Sequence, residues 1–228
     1  MPSRAPPAKS SRSTLYVAAA FAGVFLPLFV NGWYNPIVRS SATSYWAVEI
    51  LTWVVLPAVL LWALFRSEAV TAPDLGLHGL VRGRDDGPLL IEYAVLWSFA
   101  MYFLYVAGSA FANAHLPDFW KVRFDYSLAM PKDGPARVAV ALFFSLSAGI
   151  IEEIWFRGML RRLLGSGVVF VIVSAAFFGL IHWELGTRQL FATTLWGLVA
   201  ALVYLRIGNL LPLIAAHAAT DFVDFYLN

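Results

Sequence analysis

Long apolar runs, separated by short polar or glycine-containing segments, occupy most of this chain. A helix needs about 20 predominantly apolar residues to cross the hydrocarbon core of a bilayer. Runs of roughly this length cover residues 15–36, 45–65, 89–113, 137–163, 168–184, 189–206 and 209–227. The pattern therefore predicts an all-α, polytopic transmembrane helix bundle with about seven spans, or seven to eight.

Composition supports a membrane protein and excludes several other classes. The 228 residues are 60% hydrophobic and 13% charged, with a mean hydropathy of +0.71, which is far from the balance of a soluble domain. Cysteine is absent, so disulfides, thiolate nucleophiles and thiolate metal ligands are excluded. The net charge of +2 is small, and the basic residues are scattered near the ends of the runs. Nucleic acid is therefore not an expected partner.

The first fourteen residues differ from the rest, because Arg4, Lys9 and Arg12 stand there among proline and serine. We predict that residues 1–14 form a disordered basic tail, and that residues 15–228 form one transmembrane domain without internal repeats. Lysine and arginine near the span ends slightly favour a cytoplasmic N-terminus. A compact chain with such a tail suggests the inner membrane of a bacterium.

Three charged residues lie inside the fourth predicted span, at Glu152, Glu153 and Arg157. Each ionised group at the bilayer centre costs about 2.5 to 3.5 kcal/mol, so their presence needs a reason. Glu153 and Arg157 are four residues apart and share a helix face, which predicts an ion pair. Glu152 points about 100° away and is a candidate general base. The alternative is a purely structural charge cluster that holds helices together.

Two later spans repeat this anomaly. His182 lies near the end of the fifth span, one turn after Phe178 on the same face. His217 and Asp221 share a face of the last span, with small residues between them that permit close helix packing. If the spans turn at residues 165–167 and near 208, the polar residues lie within a slab of about 11 Å at 1.5 Å per residue.

Together these groups support the activation of water. Glu152 and His182 could orient and deprotonate a water molecule, and His217 with Asp221 could stabilise the oxyanion that forms at a carbonyl. Donation of a hydrogen bond by Asp221 requires its protonated form. Zinc is the alternative, because two histidines and two glutamates could hold it with one position open. The chain contains no HExxH sequence.

Three motifs thus follow one another along the last four spans: Glu152-Glu153-x-x-x-Arg157, Phe178-x-x-x-His182 and His217-x-x-x-Asp221. This ordered set resembles the motifs of the CPBP family, which comprises CAAX prenyl endopeptidases and bacteriocin-processing intramembrane proteases. The resemblance covers residues 145–228, whereas the first three spans match the family in hydrophobicity alone.

The resemblance implies an intramembrane endopeptidase of the glutamate type. We expect no cofactor, with zinc as the alternative. By position, Glu152 and His182 activate water, and His217 and Asp221 belong to the oxyanion site. The supporting residues are Glu153, Arg157 and Phe178. Many relatives carry asparagine where this chain has Asp221, and an ionised carboxylate would repel a developing negative charge.

The expected substrate is a membrane-anchored protein or peptide that is cleaved near its C-terminal region within the lipid bilayer. Three alternatives remain at this point. One is a zinc-dependent intramembrane metalloprotease with the same residues as ligands. Another is a non-catalytic bacteriocin-immunity or scaffold protein that keeps its charges for packing. A third is an ion-coupled transporter, which the lack of inverted repeats disfavours.

Overall fold

The chain folds into helices joined by short turns. The computed structural model describes residues 11–38, 41–77, 87–121 and 128–227, and this part of the chain contains no β-strand. The helices are α1 (Ser11–Phe29), α2 (Asn31–Val38), α3 (Ala42–Arg66), α4 (Gly87–His115), α5 (Gly134–Leu164), α6 (Val168–Leu180), α7 (Thr187–Ile207) and α8 (Leu211–Leu227). The predicted all-α architecture is confirmed.

Five of these helices, α1, α3, α4, α5 and α7, are long and apolar enough to cross a membrane. Helix α6 is apolar but has only 13 residues, and α8 has 17. Each of the seven predicted spans corresponds to at least one helix. The helical membrane bundle is therefore confirmed, while the number of crossings stays a prediction.

The N-terminal region departs from the prediction in two places. Residues 1–10 lie outside the described residues, but α1 begins at Ser11, so Arg12 belongs to a helix and not to a disordered tail. The predicted first span is also divided, because α1 ends at Phe29 and α2 begins at Asn31. At the start of α2 the Asn31 amide donates a hydrogen bond to the buried carboxylate of Glu184, far along the chain.

The four C-terminal helices form the centre of the bundle. Helix α8 packs against α4 and α5, and α7 packs against α6 and α4. Small residues allow these close approaches. A β-carbon at Gly149 of α5 would lie 3.0 Å from the backbone nitrogen of Ala218 in α8, and one at Gly197 of α7 would lie 3.3 Å from the α-carbon of Ala175 in α6.

The turns between α5 and α6 and between α7 and α8 lie where the sequence predicted them. Helix α5 ends at Leu164 and α6 begins at Val168. Helix α7 ends at Ile207, and Gly208 follows it in a left-handed conformation with φ of 70°. Both turns therefore lie at the same end of the bundle.

Helix α5 is not a regular α-helix throughout, because a π-helical segment covers Glu153–Met159. Such wide turns occur often at functional sites. All seven residues of the segment are buried. The loop after α3 covers part of it, since Leu75 packs against Gly158 and accepts a hydrogen bond from the Tyr204 hydroxyl at 3.0 Å.

Replacing Gly179 by alanine tests the close packing of α6 on α7. The new methyl group would collide with Thr194 Oγ1, whose hydroxyl is held by the Leu190 carbonyl at 2.6 Å. We expect a loss of about 1 to 3 kcal/mol in the free energy of unfolding, as for other overpacked sites. Intrinsic tryptophan fluorescence during unfolding in detergent measures it.

Gly167→Ala is the matched control, because nothing lies within 4 Å of a β-carbon there. Adding Thr194→Ala to Gly179→Ala should restore part of the loss. Equal stability of the two single variants would contradict the packing described here.

Candidate active site

One cavity of about 700 Å³ lies among the helices. Its lining contains five of the predicted site residues: Glu152, Phe178, His182, His217 and Asp221. They come from α5, from α6 and the turn after it, and from α8. The structure thus brings the three sequence motifs to one place. Glu152 is 2% exposed, whereas the side chain of Asp221 remains 25% exposed.

His217 lies at the centre of the polar groups. Its Nδ1 is 2.9 Å from Glu153 Oε1. On the other side of the ring, Nε2 is 3.4 Å from Asp221 Oδ2 and 3.8 Å from Glu152 Oε2. The imidazole therefore contacts three carboxylates from two helices, and the two motifs on α5 and α8 form a single cluster.

The predicted ion pair between Glu153 and Arg157 is present, with Arg157 Nη1 3.2 Å from Glu153 Oε1. Both side chains are fully buried. The guanidinium carbon also lies 4.2 Å from the ring centre of Phe178 and 5.3 Å from that of Trp196. Arg157 is thus stabilised by one carboxylate and by the electron-rich faces of two aromatic rings.

His182 follows the last turn of α6, outside the regular helix. Its Nδ1 is 2.8 Å from the carbonyl oxygen of Phe178. A carbonyl can only accept a hydrogen bond, so Nδ1 carries the proton and Nε2 is left as the basic nitrogen of the neutral ring. This arrangement fixes the tautomer that a proton acceptor requires.

The sequence did not identify every polar group of the cavity. Trp196 packs against His217 with ring centres 4.5 Å apart. Glu49 of α3 and Glu184 of the turn after α6 are both buried, and both line the cavity. An acid inside an apolar span was the available signal for Glu49. The pairing of Glu184 with Asn31, at 3.1 Å, had no local signal.

The described residues contain no group of three histidine, aspartate or glutamate side chains placed to hold a metal ion. Both nitrogens of His217 face carboxylates, and Nδ1 of His182 is occupied by a backbone carbonyl.

Helices long enough to span a membrane surround a cavity that is lined by acids and imidazoles. These features define a polytopic membrane protein with groups suited to proton transfer. Residues 134–223 match the family model described as type II CAAX prenyl endopeptidase Rce1-like. This segment contains all three motifs, and the family that they resemble is thereby confirmed for this part of the chain. No curated protein and no solved structure matches.

At the level of the family, this match supports an intramembrane endopeptidase. It also implies a membrane-anchored protein substrate and a lipid bilayer as the environment. The long apolar helices agree, since they are those of an integral membrane protein.

Replacing Arg157 by methionine tests the buried ion pair. The Glu153 carboxylate would stay buried without its cation, and breaking a buried pair on one side costs about 3 to 5 kcal/mol. The double variant Glu153→Gln with Arg157→Met should lose less stability than Arg157→Met alone, because it removes both charges. Unfolding in mixed detergent micelles measures the free energies.

Arg161→Met is the control, because Arg161 lies on the same helix, away from Glu153, with its guanidinium carbon 4.8 Å from the ring centre of Tyr204. A double variant that is less stable than Arg157→Met would show that the ion pair does not account for the burial of Glu153.

Proposed function

We propose that this protein is a glutamate-type intramembrane endopeptidase in which Glu152 and His182 activate the attacking water. The observation that carries the proposal is the meeting of the three motifs at one cavity. Two imidazoles and two carboxylates from helices remote in sequence line this one hollow. The family match supports peptide hydrolysis as the reaction.

In this mechanism Glu152 accepts a proton from water while the water oxygen bonds to the peptide carbonyl carbon. His182 accepts a hydrogen bond from the same water through Nε2, since Nδ1 is held by the Phe178 carbonyl. The carbon–nitrogen bond then breaks, and the proton on Glu152 passes to the leaving amine. No serine or cysteine nucleophile is needed.

We assign His217 to the oxyanion site and Glu153 to the positioning of its ring. Because Nδ1 faces Glu153 at 2.9 Å, His217 can offer a proton from Nε2 only when both ring nitrogens are protonated. Arg157 pairs with Glu153, and Phe178 packs against the imidazole of His217. Asp221, 3.4 Å from Nε2, can accept that proton or, when protonated itself, donate to the oxyanion.

We propose a membrane-anchored protein or peptide as the substrate, cleaved near its C-terminal region. The cavity offers apolar surface beside its polar groups, for example at Trp53 and Phe144. The family name supports a prenylated CAAX protein as one candidate, and a bacteriocin-type precursor is the other. We place the protein in a bacterial inner membrane with its N-terminus in the cytoplasm.

Replacing Glu152 by glutamine tests the mechanism. The amide keeps the shape of the side chain but cannot accept the proton, so we expect cleavage to fall by at least about 100-fold, within the range for a lost general base. The assay uses purified protein in liposomes with a farnesylated CAAX peptide and its unprenylated counterpart. Membrane peptides that accumulate uncut in cells carrying this variant would identify the natural substrate.

Glu92→Gln is the matched control, since Glu92 is an exposed carboxylate of α4. Near-normal turnover by Glu152→Gln would refute the mechanism. If Glu152→Gln instead lowered thermal stability, and cellular activity followed only the amount of protein, the non-catalytic immunity or scaffold function would be favoured.

We further propose that cleavage requires no metal, with a zinc enzyme using the same residues as the alternative. Activity should survive prolonged treatment with a strong zinc chelator, and elemental analysis of the purified protein should find no stoichiometric zinc. Loss of activity on chelation, with recovery on adding Zn²⁺ alone, would establish the zinc enzyme instead.

A further inference from the structure

The polar side chains of the cavity that belong to none of the three motifs include a tyrosine and a glutamine that contact each other. Tyr105 of α4 and Gln189 of α7 both line it, and the Gln189 amide donates a hydrogen bond to the Tyr105 hydroxyl oxygen at 3.1 Å. Helix α4 packs against both α7 and α8. Tyr105 therefore reaches the cavity from a helix outside the segment that carries the motifs.

Tyr105 lies on the same side of the cavity as the acids of α8. Asp221 and Asp224 both line the cavity and both interact electrostatically with the phenol. Asp221 is the residue of the third motif that we assign, with His217, to the oxyanion site. Tyr105 thus lines the same cavity as the residues that we assign to the oxyanion site.

The hydrogen bond from Gln189 decides what the phenol can do. A tyrosine hydroxyl has one proton and accepts through its lone pairs, so a donor amide on the oxygen leaves the proton available for a different acceptor. Hydrogen bonds arranged in series strengthen one another in a low dielectric. The Gln189 amide therefore makes the Tyr105 hydroxyl a better donor to a further acceptor.

Such a donor would complement the two motif residues of the oxyanion site. An ionised Asp221 cannot donate, and a neutral His217 already directs its single proton to Glu153. The two motif residues thus donate only when they carry an extra proton. A neutral phenol donates without any change of protonation state.

We infer that Tyr105 donates a hydrogen bond to the scissile carbonyl oxygen and to the oxyanion that forms from it, with Gln189 as the positioning residue. This inference rests on the proposed peptide hydrolysis. Tyr105 would be a catalytic residue that stabilises charge as it develops, without forming or breaking a covalent bond itself.

The test is Tyr105→Phe, which removes only the hydroxyl, in the liposome assay with the reporter peptide that the wild-type protein cleaves. We expect kcat to fall by about 100-fold, the order found when one oxyanion donor is removed, while KM changes little. Gln189→Leu should give a smaller fall of kcat. Tyr102→Phe is the control, since Tyr102 lies on the same helix and packs against Phe103.

A second measurement separates catalysis from structure. A phosphinate analogue of the peptide carries an anionic tetrahedral centre, so Tyr105→Phe should weaken its inhibition by about the factor lost in kcat. A wild-type kcat in Tyr105→Phe would overturn the inference, as would a loss of activity matched by a loss of thermal stability. If Tyr105→Phe is fully active while Glu152→Gln is inactive, only the inference fails; if Glu152→Gln is active, the proposed function fails.

Discussion

The buried pair of Glu153 and Arg157 is the constraint on which the rest of the site depends. Two ions without water are costly, and their mutual attraction offsets part of that cost. Glu153 contacts His217, and Arg157 lies against the rings of Phe178 and Trp196. The pair therefore links α5, α6, α7 and α8, and the other polar side chains are ordered around it.

Close helix packing makes this arrangement possible inside a lipid bilayer. Lipid tails offer no hydrogen-bond partner, so each polar side chain must find one within the protein. Gly149 brings α5 against α8 at Ala218, and Gly179 and Gly197 bring α6 against α7. With larger residues at these places the carboxylates and imidazoles would be held too far apart to contact one another.

Contacts within one helix could be predicted from the sequence, whereas the individual contacts between helices could not. Apolar runs predicted the helices, because a membrane helix satisfies its own backbone, and the four-residue spacing predicted the contact of Glu153 with Arg157. The bond from His217 to Glu153 joins residues 64 apart, and no local rule selects it. Tyr105 could not be selected from the sequence for a related reason. A tyrosine is an ordinary residue in an apolar span, and its hydrogen bond with Gln189 joins residues 84 apart.

The wide turn of α5 changes how that helix can be drawn. Leu142, Leu146 and Ile150 form an exposed stripe along its first half, but the stripe stops where the turn begins, and Glu153–Met159 is enclosed on all sides. A π-helical turn holds more residues than an α-helical turn, so the angular phase of the helix shifts across it. A single helical wheel drawn through all of α5 would thus assign its second half to the wrong faces, and the two halves need separate projections.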